Sequence, residues 1–224
     1  MAEGLLRRLF ALSGVGATVG SAGLLPGGVP ATPDAIATMA ARRVDLRSHV
    51  SHTVTRELAT ETPLVICMTR QHVREVCATY GAPMPRTFTL KELVRRGHEA
   101  RGRMPGEPVS AWLARVNVGR RPADLMGDDP DDDVADPVGR PRAVYEDTAN
   151  ELEDLLRQLV DLLIGTPPRT AAGSPAADDA TAYADPARVG SGTVGDDRGD
   201  RAPDDRDPQA TGHASDPSAG YSRR

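Results

Sequence analysis

The sequence predicts an α/β fold, a small three-layer domain with a parallel sheet flanked by helices. Three observations carry that expectation. Stretches with apolar residues at three- and four-residue spacing alternate with short apolar runs. One run, PLVICM at residues 63–68, is continuous, as a strand buried on both faces requires. It leads at once into a helical stripe, TRQHVREVCATYG, as in a strand–helix–strand unit.

The elements follow in order. The chain opens inside a helix over Ala2–Leu12, with Leu5, Leu6, Leu9 and Leu12 on one face and Glu3, Arg7 and Arg8 between them. SGVG breaks it, and the small-residue stretch ATVGSAG (residues 17–23) reads as a short strand. After the loop LLPGGVPAT, Thr32 is placed to cap a second helix with Pro33 at its first position and Asp34 favouring its N-terminus. VDLRSHVSHT reads as loop, and residues 55–60 as a short helix. Beyond the PLVICM strand, Val73, Val76, Cys77 and Tyr80 form a helical stripe closed by Gly81. RTFTL (residues 86–90) is a further short strand, and one or two helices with a Gly/Pro break occupy the region after it. A long last helix over residues 144–164 aligns Leu152, Leu155, Leu156, Leu159, Val160 and Leu163.

Composition bounds the rest. Residues 166–224 contain no Leu, Ile, Met, Phe or Trp. Such a segment buries too little apolar surface to offset its ordering entropy, so a disordered tail is expected after one domain over 1–165. Aromatics are 3% of the chain, so the core is aliphatic. Net charge is −5, with the acid concentrated in DDPDDDVAD (residues 128–136) and the tail. Basic residues are scattered, with no basic block interleaved with aromatics, which disfavours nucleic acid. No run of eighteen apolar residues is present, so no membrane span is expected. Two cysteines make no disulfide framework, which points to a reducing cytoplasm.

The chemistry is sparse. No glycine-rich nucleotide loop opens a helix, and no Cys/His/Asp spacing suggests a metal or other cofactor. Cys67 and Cys77 fall on apolar faces, as core cysteines do, and six residues beyond them stand Val73 and Pro83 rather than a phosphate-binding Arg. Asp136 precedes Pro137 in a loop, and His49 and His52 lie in another.

Taken together, MAEGLLRRL, SAG (Ser21 to Gly23), GVPATPDAI, VDLRSH (Val44 to His49), LVICMTRQHVREV and DPVGRP (Asp136 to Pro141) resemble the low-molecular-weight protein-tyrosine phosphatase family, in the family's order. The resemblance implies a sheet of strand order 2-1-3-4. It also implies a phosphate loop C-x5-R-S-P directly before the first helix, whose thiolate attacks phosphorus while its Arg grips the phosphoryl oxygens. It implies Asp136 as general acid, and Ser21 and His49 as residues that hold the phosphate loop in shape. The nucleophile and its Arg are not in these 224 residues. The expectation is therefore a family domain without its first, central strand and phosphate loop, inactive as it stands. With that segment restored it would act on a phosphotyrosine protein or a small phosphomonoester. Val138 stands where the family has Tyr or Phe, and residues 25–28 carry no aromatic, which puts phosphotyrosine selectivity in question. The alternatives are a non-catalytic paralogue serving as an interaction domain, or a redox enzyme like the arsenate reductases of this fold.

Overall fold

The computed structural model of the protein describes residues 1–165, and the tail expected over 166–224 lies outside them. Its elements are α1 (Ala2–Leu12), α2 (Pro33–Ala40), α3 (Arg56–Glu61), β1 (Val65–Cys67), α4 (Arg70–Tyr80), β2 (Thr87–Thr89), α5 (Leu90–Glu99), α6 (Val109–Val116) and α7 (Arg142–Ile164).

Helix starts follow local chemistry. Thr32, Thr55, Thr69 and Thr89 precede α2, α3, α4 and α5, and each hydroxyl accepts a backbone N–H of the first turn, from Ala35, Leu58, His72 and Glu92. Pro33 opens α2, where its missing N–H costs nothing. Gly81 closes α4 at φ +75°, a left-handed conformation that glycine adopts freely.

The main core lies where α7 crosses α1, α2 and α5. From α1 come Leu5, Leu6 and Phe10, and from α7 Leu152, Leu156, Leu159 and Val160; Trp112 and Phe88 fill the space beneath. A smaller cluster of Ala59, Cys67, Val73, Val76, Ala82 and Leu125 lies between α3, α4 and β1. β1 and β2 pair in parallel, Val65 with Thr87, Ile66 with Phe88 and Cys67 with Thr89, with α4 as the crossover.

The structure departs from the sequence expectation at two places. Residues 17–23 form no strand. A strand exists only as a pairing, and this segment makes a single isolated bridge, Gly23 with Thr53, while Arg7 donates to the Val19 carbonyl at 2.9 and 2.6 Å. Among the described residues β1 pairs with β2 alone. The second departure follows: Val65 and Ile66 are half-buried and only Cys67 is buried, so PLVICM is not covered on both faces. The fully buried strand is the more polar β2, whose Thr87, Phe88 and Thr89 are all at 0% exposure.

Candidate active site

Parallel α/β sheets present functional groups at the C-terminal ends of their strands and at neighbouring helix N-termini. Two groups of residues occupy such positions.

The first surrounds the start of α1. Glu3, in its opening turn, receives the hydroxyl of Ser21 on Oε2 and the guanidinium of Arg7 on Oε1 at 2.7 Å. His49 Nδ1 lies 4.0 Å from the same Oε2. Ser21 and His49, far apart in sequence, thus converge on one carboxylate. Beside them opens a cavity of about 520 Å³, whose lining includes Met1, Gly20, Ser21, Arg43, His49 and His52. At its rim Arg47 binds Asp45 through side-chain and backbone hydrogen bonds and holds that carboxyl down at about 2. The sequence reading did not single out Glu3. Its signal was present, because an acid in the first turn of a helix is a recurrent way to complement the helix terminus.

The second group lies at the C-terminal end of β1. The Val134 amide donates to the Met68 carbonyl at 2.8 Å, which docks the acidic loop on the strand end. Two residues on, Asp136 is exposed, and its Oδ1 accepts the Val138 N–H at 3.0 Å. This Asx turn leaves the other carboxylate oxygen without a partner among the described residues. Ser21 and His49 meet at Glu3 and line the cavity at α1, whereas Asp136 is not among its lining residues and, among the described residues, bonds only the Val138 amide. Val138, next after Pro137, is 65% exposed.

Neither cysteine has the surroundings of a nucleophile. Cys67 is buried in the smaller cluster, and burial, with Cys77 nearby, pushes its thiol up to about 12. Burial raises Cys77 as well. A thiol held neutral at physiological pH attacks poorly, since the thiolate is the reactive form. Among the described residues no group of three or more His, Cys, Asp or Glu side chains could hold a metal ion.

Comparison with known proteins decides the family. The sequence model of the "Low molecular weight phosphotyrosine protein phosphatase" family matches residues 1–106. A protein-arginine-phosphatase of Bacillus subtilis is 32% identical over 165 residues, which is 73% of this chain and 87% of that protein. The chain belongs to the low molecular weight phosphotyrosine protein phosphatase family. Solved members superpose on it. The low molecular weight protein tyrosine phosphatase of T. tengcongensis is 26% identical, covering 72% of this chain and 88% of its own, with a TM-score of 0.54. An arginine phosphatase mutant, YwlE with a phosphorylated active-site serine, is 31% identical over 72% of this chain and 84% of its own, with a TM-score of 0.53. Among the described residues of this family member, no helix is long and apolar enough to cross a membrane.

Proposed function

We propose that this chain carries the general-acid half of a protein phosphatase, with Asp136 protonating the leaving group of a phosphorylated side chain and then activating water against a cysteinyl phosphate. The observation that supports this best is the convergence of Ser21 and His49 on Glu3 at the start of α1. We read Ser21, His49 and Glu3 as the polar groups that would brace a family phosphate loop entering there. Asp136 has the exposure and the free carboxylate oxygen a proton donor needs.

The attacking thiolate and the Arg that grips the phosphoryl oxygens would come from a C-x5-R segment entering α1. Residues 1–224 contain no such motif, so the chain alone is inactive on this reading. In the balanced step, the thiolate displaces the leaving oxygen or nitrogen from phosphorus, Asp136 supplies that atom's proton, and water hydrolyses the thiophosphate. The test has two parts. The 224-residue chain should not turn over p-nitrophenyl phosphate, and turnover that disappears in Cys67→Ser would overturn the assignment. A chain with a C-x5-R-S-P segment ahead of Met1 should be active, and Asp136→Ala should slow it by about 10²–10⁴-fold. A longer chain with no turnover would favour the non-catalytic interaction domain. Arsenate-dependent oxidation of Cys67 would favour the redox reading, which its burial opposes.

A second reading concerns the substrate. Val138 and Leu25 are aliphatic and 65% and 80% exposed, so neither offers a ring to stack on a phenol. Together with the named arginine-phosphatase relative, this favours phosphoarginine in proteins over phosphotyrosine. When its P–N bond breaks, the departing guanidine nitrogen takes up a proton, which Asp136 would supply. A phosphoarginine peptide should show a higher kcat/KM than the matching phosphotyrosine peptide, and the reverse order would remove this reading. A chain with two cysteines and no disulfide framework suits a reducing cytoplasm, the location we assign.

A further inference from the structure

The acidic loop of residues 128–136 looks self-repelling in sequence, yet it is tied down by cations from two helices. Asp132 is 2% exposed. Its Oδ2 accepts Arg70 Nε at 2.8 Å with Arg70 Nη2 in ion-pair contact at 2.6 Å, and its Oδ1 accepts Arg95 Nη1 at 2.6 Å. Arg70 also reaches Asp129 Oδ2 at 2.8 Å, and its backbone N–H, the first of α4, donates to Asp133 Oδ1 at 2.7 Å. Lys91 donates to the Pro130 carbonyl at 3.0 Å, and Arg74 to the carbonyls of Leu125 and Gly127, both at 2.6 Å. Within the loop, the amides of Asp132 and Asp133 bond the Asp129 carbonyl. Both oxygens of the buried carboxylate are therefore used, and the loop is fixed on α4 and α5 just before it crosses the end of β1.

We propose that the Arg70–Asp132–Arg95 cluster is the positioning device for Asp136, holding the loop so that the general acid is presented beyond the Val134–Met68 hydrogen bond. This deepens the phosphatase reading and rests on it. Arg70, Asp132 and Arg95 are positioning residues, since they act through the loop. Two guanidiniums from different helices, one on each oxygen of a buried carboxylate, resist its rotation as well as its displacement, which a single surface ion pair does not. Only three residues lie between Asp132 and Asp136, and the hydrogen bond from the Val134 amide to the Met68 carbonyl falls among them, leaving Asp136 little freedom.

The test begins with the 224-residue chain, where no catalysis is needed. Amide exchange is read at Val134 and Val138, whose N–H groups report the two hydrogen bonds that set Asp136, and at Leu156 in α7. Arg70→Gln should raise exchange at Val134 and Val138 by about 10-fold or more and leave Leu156 unchanged, as local opening does. Arg70→Lys, which keeps a charge but not the guanidinium's simultaneous reach to Asp132 and Asp129, should restore part of the protection. Asp132→Asn, nearly isosteric, should reproduce the local effect even if Arg70→Gln folds poorly. Unchanged exchange at both reporters, or a parallel rise at Leu156, overturns the proposal. In a chain completed with the C-x5-R segment, Arg70→Gln should lower kcat for phenyl phosphate without raising KM, and should add nothing on top of Asp136→Ala. Fully multiplicative losses also overturn it. A completed chain that is inactive without any substitution removes the phosphatase reading alone, and the exchange pattern still decides whether the cluster holds the loop.

Discussion

The two halves of the candidate site are held in opposite ways. At the end of β1, the loop carrying Asp136 is anchored by buried and half-buried ion pairs in which every carboxylate oxygen of Asp132 is occupied. At the start of α1, Ser21 is exposed, His49 stands 4.0 Å from Glu3, and the extended segment 17–23 has one isolated bridge beside an open cavity. Backbone polar groups that leave water must find partners. The first half meets that requirement within the described residues, and the second meets it by staying wet. On the proposed reading, the loop that carries Asp136 is held by side chains of the domain itself, whereas the polar groups beside α1 face an open cavity.

The largest effect is expected next to the closed half, at the most buried ion pair among the described residues, Arg120 with Glu92 of α5. The Arg120 side chain is 1% exposed and the Glu92 side chain 3%. The guanidinium grips both Glu92 oxygens at 2.7 and 2.9 Å, donates to the carbonyls of Met84 and Thr87, and lies 4.2 Å above the Phe88 ring. Arg96 Nε, 3.3 Å from Glu92 Oε1, makes an ion pair without hydrogen-bond geometry and reaches only one of the two oxygens. Arg120→Ala should therefore cost about 3–5 kcal/mol, the usual effect of stranding one buried charge. That is a large share of the roughly 5–15 kcal/mol stability of a domain. Urea unfolding measures it, and a loss under about 1 kcal/mol would show that this buried pair contributes no more than a surface one.

A smaller effect, with a pH signature, is expected at Asp132. Burial pushes its carboxyl up, but the hydrogen bonds and charges of Arg95 and Arg70 outweigh that and hold it below the ordinary carboxylate value. A depressed folded-state pKa contributes stability that is present above the unfolded value, about 3.9, and lost as pH falls through the folded one. Asp132→Asn should lower stability by about 1.5–3 kcal/mol at pH 7, as expected for hydrogen bonds to a charged group. Thermal scans should show the gap to the unsubstituted protein holding from neutral pH down toward the unfolded value and closing below it. A gap that widens in acid would give the opposite sign and remove Asp132 from the ion cluster.

The open half was more legible in the sequence than the closed one. SAG and VDLRSH marked Ser21 and His49 through their resemblance to the family, and the start of α1 was fixed by the leucine spacing. Helix boundaries were readable because their causes are local: a Thr hydroxyl three residues from the amide it receives, Pro33, and Gly81. The closed half depends on pairs distant along the chain. Asp132 meets Arg70 and Arg95 at separations of 62 and 37 residues, and Glu92 meets Arg120 at 28. On a single sequence those arginines read as the solvated face of a helix, and DDPDDDVAD as acid facing water. The strand expected at residues 17–23 failed for a related reason: extended propensity is local, but a ladder needs a neighbour.

The smallest effect should come from the open half, and it tests the comparison from the other side. Ser21→Ala removes one hydroxyl from Glu3, but Glu3 keeps the Arg7 ion pair, and water replaces the lost donor because Ser21 is exposed. The change in stability should stay within about 0.5 kcal/mol, as for surface substitutions generally. His49→Asn should behave alike, since its Nδ1 is at the 4.0 Å limit of contact with Glu3. If the polar groups around α1 exist to brace an incoming phosphate loop, both variants should nonetheless slow a chain completed with that loop, with Arg7 unable to substitute because it is committed to Glu3 and to the Val19 carbonyl. Near-zero cost to the fold with a clear cost to turnover is the signature of residues kept for chemistry. A loss of stability above about 1 kcal/mol in Ser21→Ala would mean the segment 17–23 is packed more firmly than its exposure indicates, and the two halves would then differ in degree rather than in kind.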